Sequence, residues 1–507
     1  MSPGINRRDF LRLAGMLPLS LAAPRWMQSL PAAAGQKNVI VVVFDAFSAF
    51  NISLYGYQRD TTPNLDRLAK RAIVYHNHYA GSNFTTSGTA SLLTGTLPWT
   101  HRALRPKDLV AQPFALKNVF GIFEDYFRLA YTHNGWANIL LEQFESRMNE
   151  LVPWKSLFLG SYDTFVESLF AKDQDIASVS WTRNLNLEQD GYAYSLFISH
   201  LYEVLQANSF GDLKRLFPRG LPSTGDVGTY FLLERAVDWI GQRLVHVPQP
   251  FFGYFHLLPP HGPYNTELEF YNHFRGDGLK VQNKPPDVFT EEVSDETLFK
   301  RRTEYDEFIL YVDREFGRFY DELDKAGLLE NTWVVLTSDH GEMFERGISA
   351  HSTNALYEPV VRIPLLIFEP GRETGVDIHD ATSAADVLPT LAQVTGHAVP
   401  AWTEGAVLPP FATTAPDPNR HVYVVRAAKN PENAPLTQAS TMLVKGRYKL
   451  LYFFGYQDRG VEDLVKLFDL EADAEEMVDL SSSHKDVAAE MLGELKSRLD
   501  EVNKPYL

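Results

Sequence analysis

Four apolar runs constrain this chain more than any other feature, because each is strand-length and most stop at a polar cluster. Val39 to Phe44 reads VIVVVF, residues 251 to 258 read FFGYFHLL, residues 332 to 340 read TWVVLTSDH, and VRIPLLIFEPG begins at Val361. Runs this rich in β-branched and aromatic residues belong in the centre of a parallel sheet covered on both faces. Helical patterns lie between them. TTPNLDRLAKRA carries Pro63 near its start, Ala90 to Leu93 begins a second stretch, and FLLERAVDWIGQRL is plainly amphipathic. RRTEYDEFILYVDREFGRFYDELDKAG is a long helix that stops at Gly327. Residues 140 to 245 read as mostly helical. Strands alternating with helices predict an α/β fold with a mostly parallel central sheet. Ligands of such sheets sit beyond the C-terminal ends of the strands.

The pattern changes near residue 400. Residues 401–420 sit in a stretch rich in Pro, Ala and Thr and read as a linker. HVYVVRAA, STMLVKGRYKLLYFFG and VKLFDL then read as strands or hairpins, followed by a helix from about Lys485 to Val502. The expected organisation is a catalytic unit over 37–400 and a β-rich unit with a terminal helix over 421–507.

Charge and cysteine content narrow the chemistry. The formal charge is −17, without the basic footprint that binding to a nucleic-acid duplex requires. An anionic substrate must therefore be drawn in by a local cation. The cysteine count is zero, which excludes disulfides, thiolate metal sites, cysteine nucleophiles and an acylated lipoprotein anchor. Residues 1–34 show a basic segment with Arg7 and Arg8, an apolar run from Leu13 to Pro24, and small residues at Ala32 to Ala34. That order predicts a twin-arginine type signal, hence export by the twin-arginine machinery to the periplasm or beyond. The apolar run is shorter than the roughly 20 residues of a spanning helix, and no later stretch is long enough.

Three polar clusters follow core strands: Asp45 after VIVVVF, Asp339 and His340 after TWVVLTS, and His256 with His261 in FHLLPPHGPY. Burying carboxylates there is costly unless a cation compensates. The oxygen and nitrogen set suits one divalent ion such as Mn, Mg, Ca or Zn. Singly, each cluster also has a plain reading: Asp45 as a helix cap, the Asp339–Glu342 segment as a turn, the histidines as loop residues.

Asp45, LYGYQRDTTPNLDRLA, TTSGTASLLTG, PPHGPY, TSDHGE, LYEPVVRIPLLI, ADVLPTLAQVTG and GRYKLLYFF…KLFDLEADAEEMVDL stand in the order found in sulfatases. The chain resembles that family from about residue 37 to 500. The resemblance implies an alkaline-phosphatase-like α/β sandwich with a small C-terminal sheet-plus-helix subdomain. It implies Asp45, Asp339 and His340 as metal ligands. Thr85, ten residues before Gly95, would be both nucleophile and metal contact. His261 would be the substrate-binding or proton-donating histidine. His351, and more weakly His256, would contact substrate.

Four positions depart from the formylglycine sulfatases. Their Cys or Ser is Thr85, which cannot be oxidised to the aldehyde, so no formylglycine is expected. Their activating Arg is Thr89, their second Asp is Ala46, and Thr353 stands where a sulfate-binding Lys is usual. The threonine instead resembles the branch of nucleotide pyrophosphatases, phosphodiesterases and phosphoglycerol or phosphoethanolamine transferases. The expected activity is hydrolysis of a small anionic ester through a covalent threonine intermediate, with phosphodiesters favoured. A phosphoglycerol or phosphoethanolamine type transferase acting on envelope glycerophospholipids, atypical sulfate-ester hydrolysis and a non-catalytic binding role are the alternatives. Trp154 and Trp181 are candidate pocket residues.

Overall fold

The computed structural model describes residues 36–159, 210–225, 229–415 and 417–507. The export segment expected over 1–34, and Trp181, lie outside these residues. Among them, no helix is long and apolar enough to cross a membrane.

The strands are β1 (Asn38–Phe44), β2 (Ile73–Tyr79), β3 (Phe127–Thr132), β4 (Glu150–Leu151), β5 (Phe251–Leu257), β6 (Thr332–Thr337), the short hairpin β7 (Phe344–Glu345) and β8 (Ile348–Ser349), β9 (Leu365–Phe368) and β10 (Val376–Ser383). Among the described residues the main sheet has eight strands in the order β10-β2-β9-β6-β1-β5-β3-β4. All pairings are parallel except those of β9, which runs antiparallel between β2 and β6. The RIPLLIF run therefore inserts against the direction of its neighbours, which its apolar pattern does not show.

Alternation along β1 explains the layering. Ile40, Val42 and Phe44 face one helix layer, and Val39, Val41 and Val43 face the other. The first layer holds α4 (Leu233–Leu244) and α5 (Asp295–Lys325). The second holds α2 (Thr85–Thr94), α3 (Gly135–Phe144) and α6 (Val387–Val394). A further short helix, α1 (Pro63–Leu68), starts on Pro63 and is tied to α5, where Asp313 accepts from the Asn64 and Leu65 amides. The Ser294 hydroxyl caps α5 by accepting from the Thr297 amide, with Asp295 and Glu296 in the first turn. About a third of the way along α5, the Tyr305 hydroxyl donates to the Ala46 carbonyl at 2.6 Å and accepts from the Ser48 amide at 2.9 Å. That pair fixes the loop leaving β1, where Ala46 sits at φ 59°.

The C-terminal unit is an antiparallel sheet of β11 (Val422–Arg426), β12 (Ala439–Lys445), β13 (Tyr448–Tyr456) and β14 (Val461–Asp469), in sequence order. One face, with Val425, Leu443, Leu450 and Leu467, packs on α7 (Lys485–Asn503) through Met491, Leu495 and Leu499. The other, with Val424, Met442, Leu451 and Phe453, packs on Leu356, Tyr357, Val360 and Val361. The Pro/Ala/Thr-rich connection before it is held in place. Glu404 accepts from the Leu97 amide at 2.7 Å, the Trp99 indole at 2.9 Å and Arg498 at 2.6 Å.

A buried ion triad fastens the two units. Lys449 Nζ, with no solvent exposure, lies 2.9 Å from Glu358 and 2.8 Å from Glu476. Removing the lysine leaves two carboxylates buried side by side. Lys449→Met is expected to destabilise the protein by about 3–5 kcal/mol, read by urea denaturation. A loss below about 1 kcal/mol would show that the triad does not couple the units.

Candidate active site

Four adjacent strands, β6, β1, β5 and β3, end at one edge and deliver the polar residues. The register sets Val43 beside Thr337 and His256, and Thr132 beside His256. Asp339 and His340 thus follow β6, Asp45 follows β1, His256 lies within β5, and Asn134 follows β3. Asp45 is held at the sheet edge by its amide, which donates to the Leu257 carbonyl at 2.9 Å. Asp339 accepts through Oδ1 from the amides of Ala46 at 3.2 Å and His340 at 3.0 Å. Asp45 does not cap a helix; the cap of the next turn is Ser48.

Ligand atoms of Asp45, Asp339 and His340, all fully buried, lie within 4.8 Å of one another. His340 Nε2 is 3.4 Å from Asp45 Oδ1 and 3.6 Å from Asp339 Oδ2. His256 is buried behind them, its Nε2 3.5 Å from Asp45 Oδ2 and 3.7 Å from Asp339 Oδ2. Asp45 Oδ1, Asp339 Oδ2 and His256 Nε2 have no hydrogen-bond partner among the described residues. Burial pushes both carboxyls up. Asp339 rises further beside the Asp45 charge, whereas His261, His256 and His340 hold Asp45 below the ordinary range. Buried oxygens that face one another without donors are what a cation compensates. The set fits one divalent ion, and Nδ1 of His340 is bonded to the Gly341 carbonyl at 2.9 Å, which leaves Nε2 as the nitrogen that could hold it.

Thr85 opens α2, which starts five residues before the stretch expected from Ala90. It occupies the first helical position, not the cap; the cap is Phe84, without a side-chain bond. Its hydroxyl is 3.4 Å from His340 Nε2 and 3.4 Å from Asn134 Nδ2. Amides in the first turn lack helical partners, so the end of α2 is also favourable for an anion. Gly88 permits this approach, because a Cβ there would stand 2.2 Å from the Asp339 carbonyl oxygen. Thr86 is turned away and accepts from the Lys107 amide at 3.1 Å.

Two residues at the site were not anticipated. Asn134 caps α3, its Oδ1 accepting from Trp136 and Ala137 amides, which aims Nδ2 at Asp45 and Thr85. The signal was present, since Thr132-His133-Asn134 is another polar tail on a core strand, but Arg128 interrupts that run. Glu342 is buried and faces His351 Nδ1 at 3.1 Å; burial pushes its carboxyl up to about 7.

The remaining expected histidines line one side. The His351 ring lies 4.2 Å from that of His340 and 4.9 Å from that of His261, centroid to centroid. Burial pushes His351 down to about 3, and the His261 charge adds to it. His261 is pushed down by burial but raised overall by the Asp45 and Glu342 carboxylates, and its Nδ1 donates to the Gly262 carbonyl at 2.6 Å. Thr89 is buried beneath the site, and Thr353 accepts from the Ala355 amide at 3.1 Å within a turn, so neither replaces a lost cation. Trp154 packs on Phe158, whose neighbour His133 stacks on Phe231.

A mostly parallel sheet with two carboxylates and an imidazole at its C-terminal edge, facing a hydroxyl on a helix start, defines a hydrolase of the alkaline-phosphatase-like class. The sulfatase family model matches residues 37–397, and the model of the N-sulphoglucosamine sulphohydrolase C-terminal region matches residues 350–505. The chain belongs to the sulfatase family and is an ester hydrolase. It is 31% identical to a choline-sulfatase of Rhizobium meliloti (strain 1021), over 89% of this chain and 83% of that protein. An arylsulfatase of Clostridium perfringens (strain 13 / Type A) is 22% identical over 92% and 93%. Phosphonate monoester hydrolase of Agrobacterium radiobacter shares the fold, with a TM-score of 0.66 and 19% identity over 93% and 96% of the two chains.

Asp339→Asn is expected to lower the divalent-metal content of the purified protein, read by plasma mass spectrometry. Full occupancy in that variant would remove Asp339 from the ligand set. Asn134→Ala is expected to cost about 1 kcal/mol of stability through the lost cap and to lower kcat as well.

Proposed function

We propose that the chain hydrolyses phosphate esters, phosphodiesters foremost, through a covalent intermediate on Thr85. The observation that carries this reading is the Thr85 hydroxyl, 3.4 Å from the ligating nitrogen of His340 and free of any capping role. One divalent cation held by Asp45, Asp339 and His340 would supply Lewis acidity, lowering the hydroxyl pKa and neutralising charge on the transferred group. Asn134 Nδ2 orients Thr85 Oγ1 for in-line attack. Thr85 Oγ1 attacks as the alkoxide, its proton released to solvent; the bond from phosphorus to the leaving oxygen breaks as the bond to Oγ1 forms, and His261, whose pKa its acidic neighbours raise, donates its proton to the leaving oxygen. Water then attacks phosphorus, His261, now neutral, accepts a proton from it, and the bond to Oγ1 breaks to return the Thr85 alkoxide, which takes its proton back from solvent.

A sulfate ester is the second reading, supported by the similarity to a choline-sulfatase. Two features favour phosphorus. Thr85 cannot provide the aldehyde hydrate from which a sulfate is readily expelled. Thr89 and Thr353 also leave the site without the cations expected for sulfate. The signal-like first 34 residues support a periplasmic or secreted site of action.

Chromogenic phosphomonoesters, phosphodiesters and sulfate esters, assayed side by side with and without EDTA, test the reading. Chelation is expected to abolish turnover, and added divalent metal to restore it. Thr85→Ala is expected to lose about a thousandfold or more in kcat, and Thr86→Ala less than about tenfold. Full activity in Thr85→Ala would overturn the covalent route, and sulfate esters as best substrates would establish the second reading.

A further inference from the structure

The C-terminal sheet carries a cation to the rim of this site. Arg426 is the last residue of β11, and the preceding Val425 amide donates to the Gly81 carbonyl at 3.0 Å, docking the strand on the segment that leads into Thr85. The Arg426 guanidinium donates from Nε to Asn354 Oδ1 at 3.1 Å and from Nη1 to Asn83 Oδ1 at 3.2 Å, and lies 5.4 Å from the centroid of the Phe84 ring. Asn83 in turn donates from Nδ2 to the carbonyls of His351 at 2.9 Å and Thr353 at 2.7 Å. A chain of contacts thus runs from Arg426 through Asn83 to the backbone of His351, whose ring faces His340 and His261.

What Arg426 lacks is a counter-ion. Among the described residues no carboxylate pairs with it, and Nη2 has no hydrogen-bond partner. Its two partners are neutral amides, which aim the group but leave its charge uncompensated. Burial pushes its pKa down, the mark of a cation without an anion. Its charge also reaches the His351 ring, which it helps to keep neutral. Arg102 shows the contrast: also without a carboxylate, it is engaged by the carbonyls of Pro431, Glu432 and Ala434 and covered by the Tyr506 ring. Arg426 is half-buried, and Nη2 is left without a hydrogen bond among the described residues. Asn83 links it to the His351 backbone.

We infer that Arg426 binds a second anionic group, carried on the alcohol portion of the substrate, and selects against alcohols that bear a positive charge. The inference rests on the ester-hydrolase reading above and extends it to the leaving group. An uncompensated guanidinium, positioned by two amides and presenting free N–H donors, suits a carboxylate or an additional phosphate or sulfate.

Three aryl esters with one scissile group test it, the phenol bearing no further charge, a carboxymethyl group or a trimethylammonium group. The wild-type protein is expected to prefer the carboxymethyl ester and to disfavour the trimethylammonium ester. In Arg426→Met the ratio of kcat/KM for the carboxymethyl ester over the neutral ester is expected to fall about tenfold, the size of one charge-assisted contact, through KM. Arg426→Lys is expected to keep part of the preference. A general loss of folding or catalysis lowers both values and leaves the ratio unmoved, and an unmoved ratio overturns the inference. If the wild-type protein turns over none of the esters, the hydrolase reading fails. The same ratio, taken from Kd values by titration calorimetry of the intact esters, then decides the role of Arg426.

Discussion

Two buried carboxylates that face each other at the edge of a sheet organise this protein. Asp45 and Asp339 lie at the ends of neighbouring strands, without exposure and each with one oxygen that no donor among the described residues reaches. Like charges at such range in a poorly solvated interior repel by several kcal/mol. A cation removes that cost, and the surrounding residues are placed as if to receive one. His340 turns Nε2 inward, the Ala46 amide steadies Asp339, and Gly88 lets α2 bring Thr85 to the rim of the set. The same carboxylate charges raise the His261 pKa.

Distant parts of the chain keep this arrangement rigid. Tyr305 from α5 clamps the Ala46–Ser48 turn, and Asn134 serves both as helix cap and as holder of Thr85. A side chain with both duties has its rotamer set by secondary structure, which suits positioning on the scale catalysis requires. The C-terminal unit is part of the site as well. Its sheet docks beside the Gly81–Phe84 segment, and a buried lysine triad joins it to the catalytic unit. The chemistry proposed at the strand ends and the leaving-group recognition inferred for Arg426 would thereby fall to different units.

Legibility of the fold followed packing environment. β1, β5 and β6 are covered on both faces, so their runs are continuous and easily read. β3 carries Arg128 near its start, which hid the strand and with it Asn134. β9 reads as a core strand, but direction leaves no trace in an apolar run, and its antiparallel setting appears only in the sheet. The start of α2 at Thr85 was obscured because TTSG has weak helical preference; close packing on the Asp339 segment overrides it. Among the site residues, Asp45, Asp339, His340, His256 and His261 were visible as polar tails on core strands, and Thr85 and His351 only through family resemblance.

By itself the sequence determined the alternation of strands and helices, the acidic charge, the absence of thiol chemistry and the kinds of ligand available at strand ends. These are local properties of composition and period. Only the tertiary structure decided that Asp45, Asp339 and His340 converge, that Thr85 faces them, that Glu342 stands behind His351, and that Arg426 reaches the rim. Strand order and helix docking bring together side chains hundreds of residues apart, and that proximity leaves no periodicity in the chain for a reader to find.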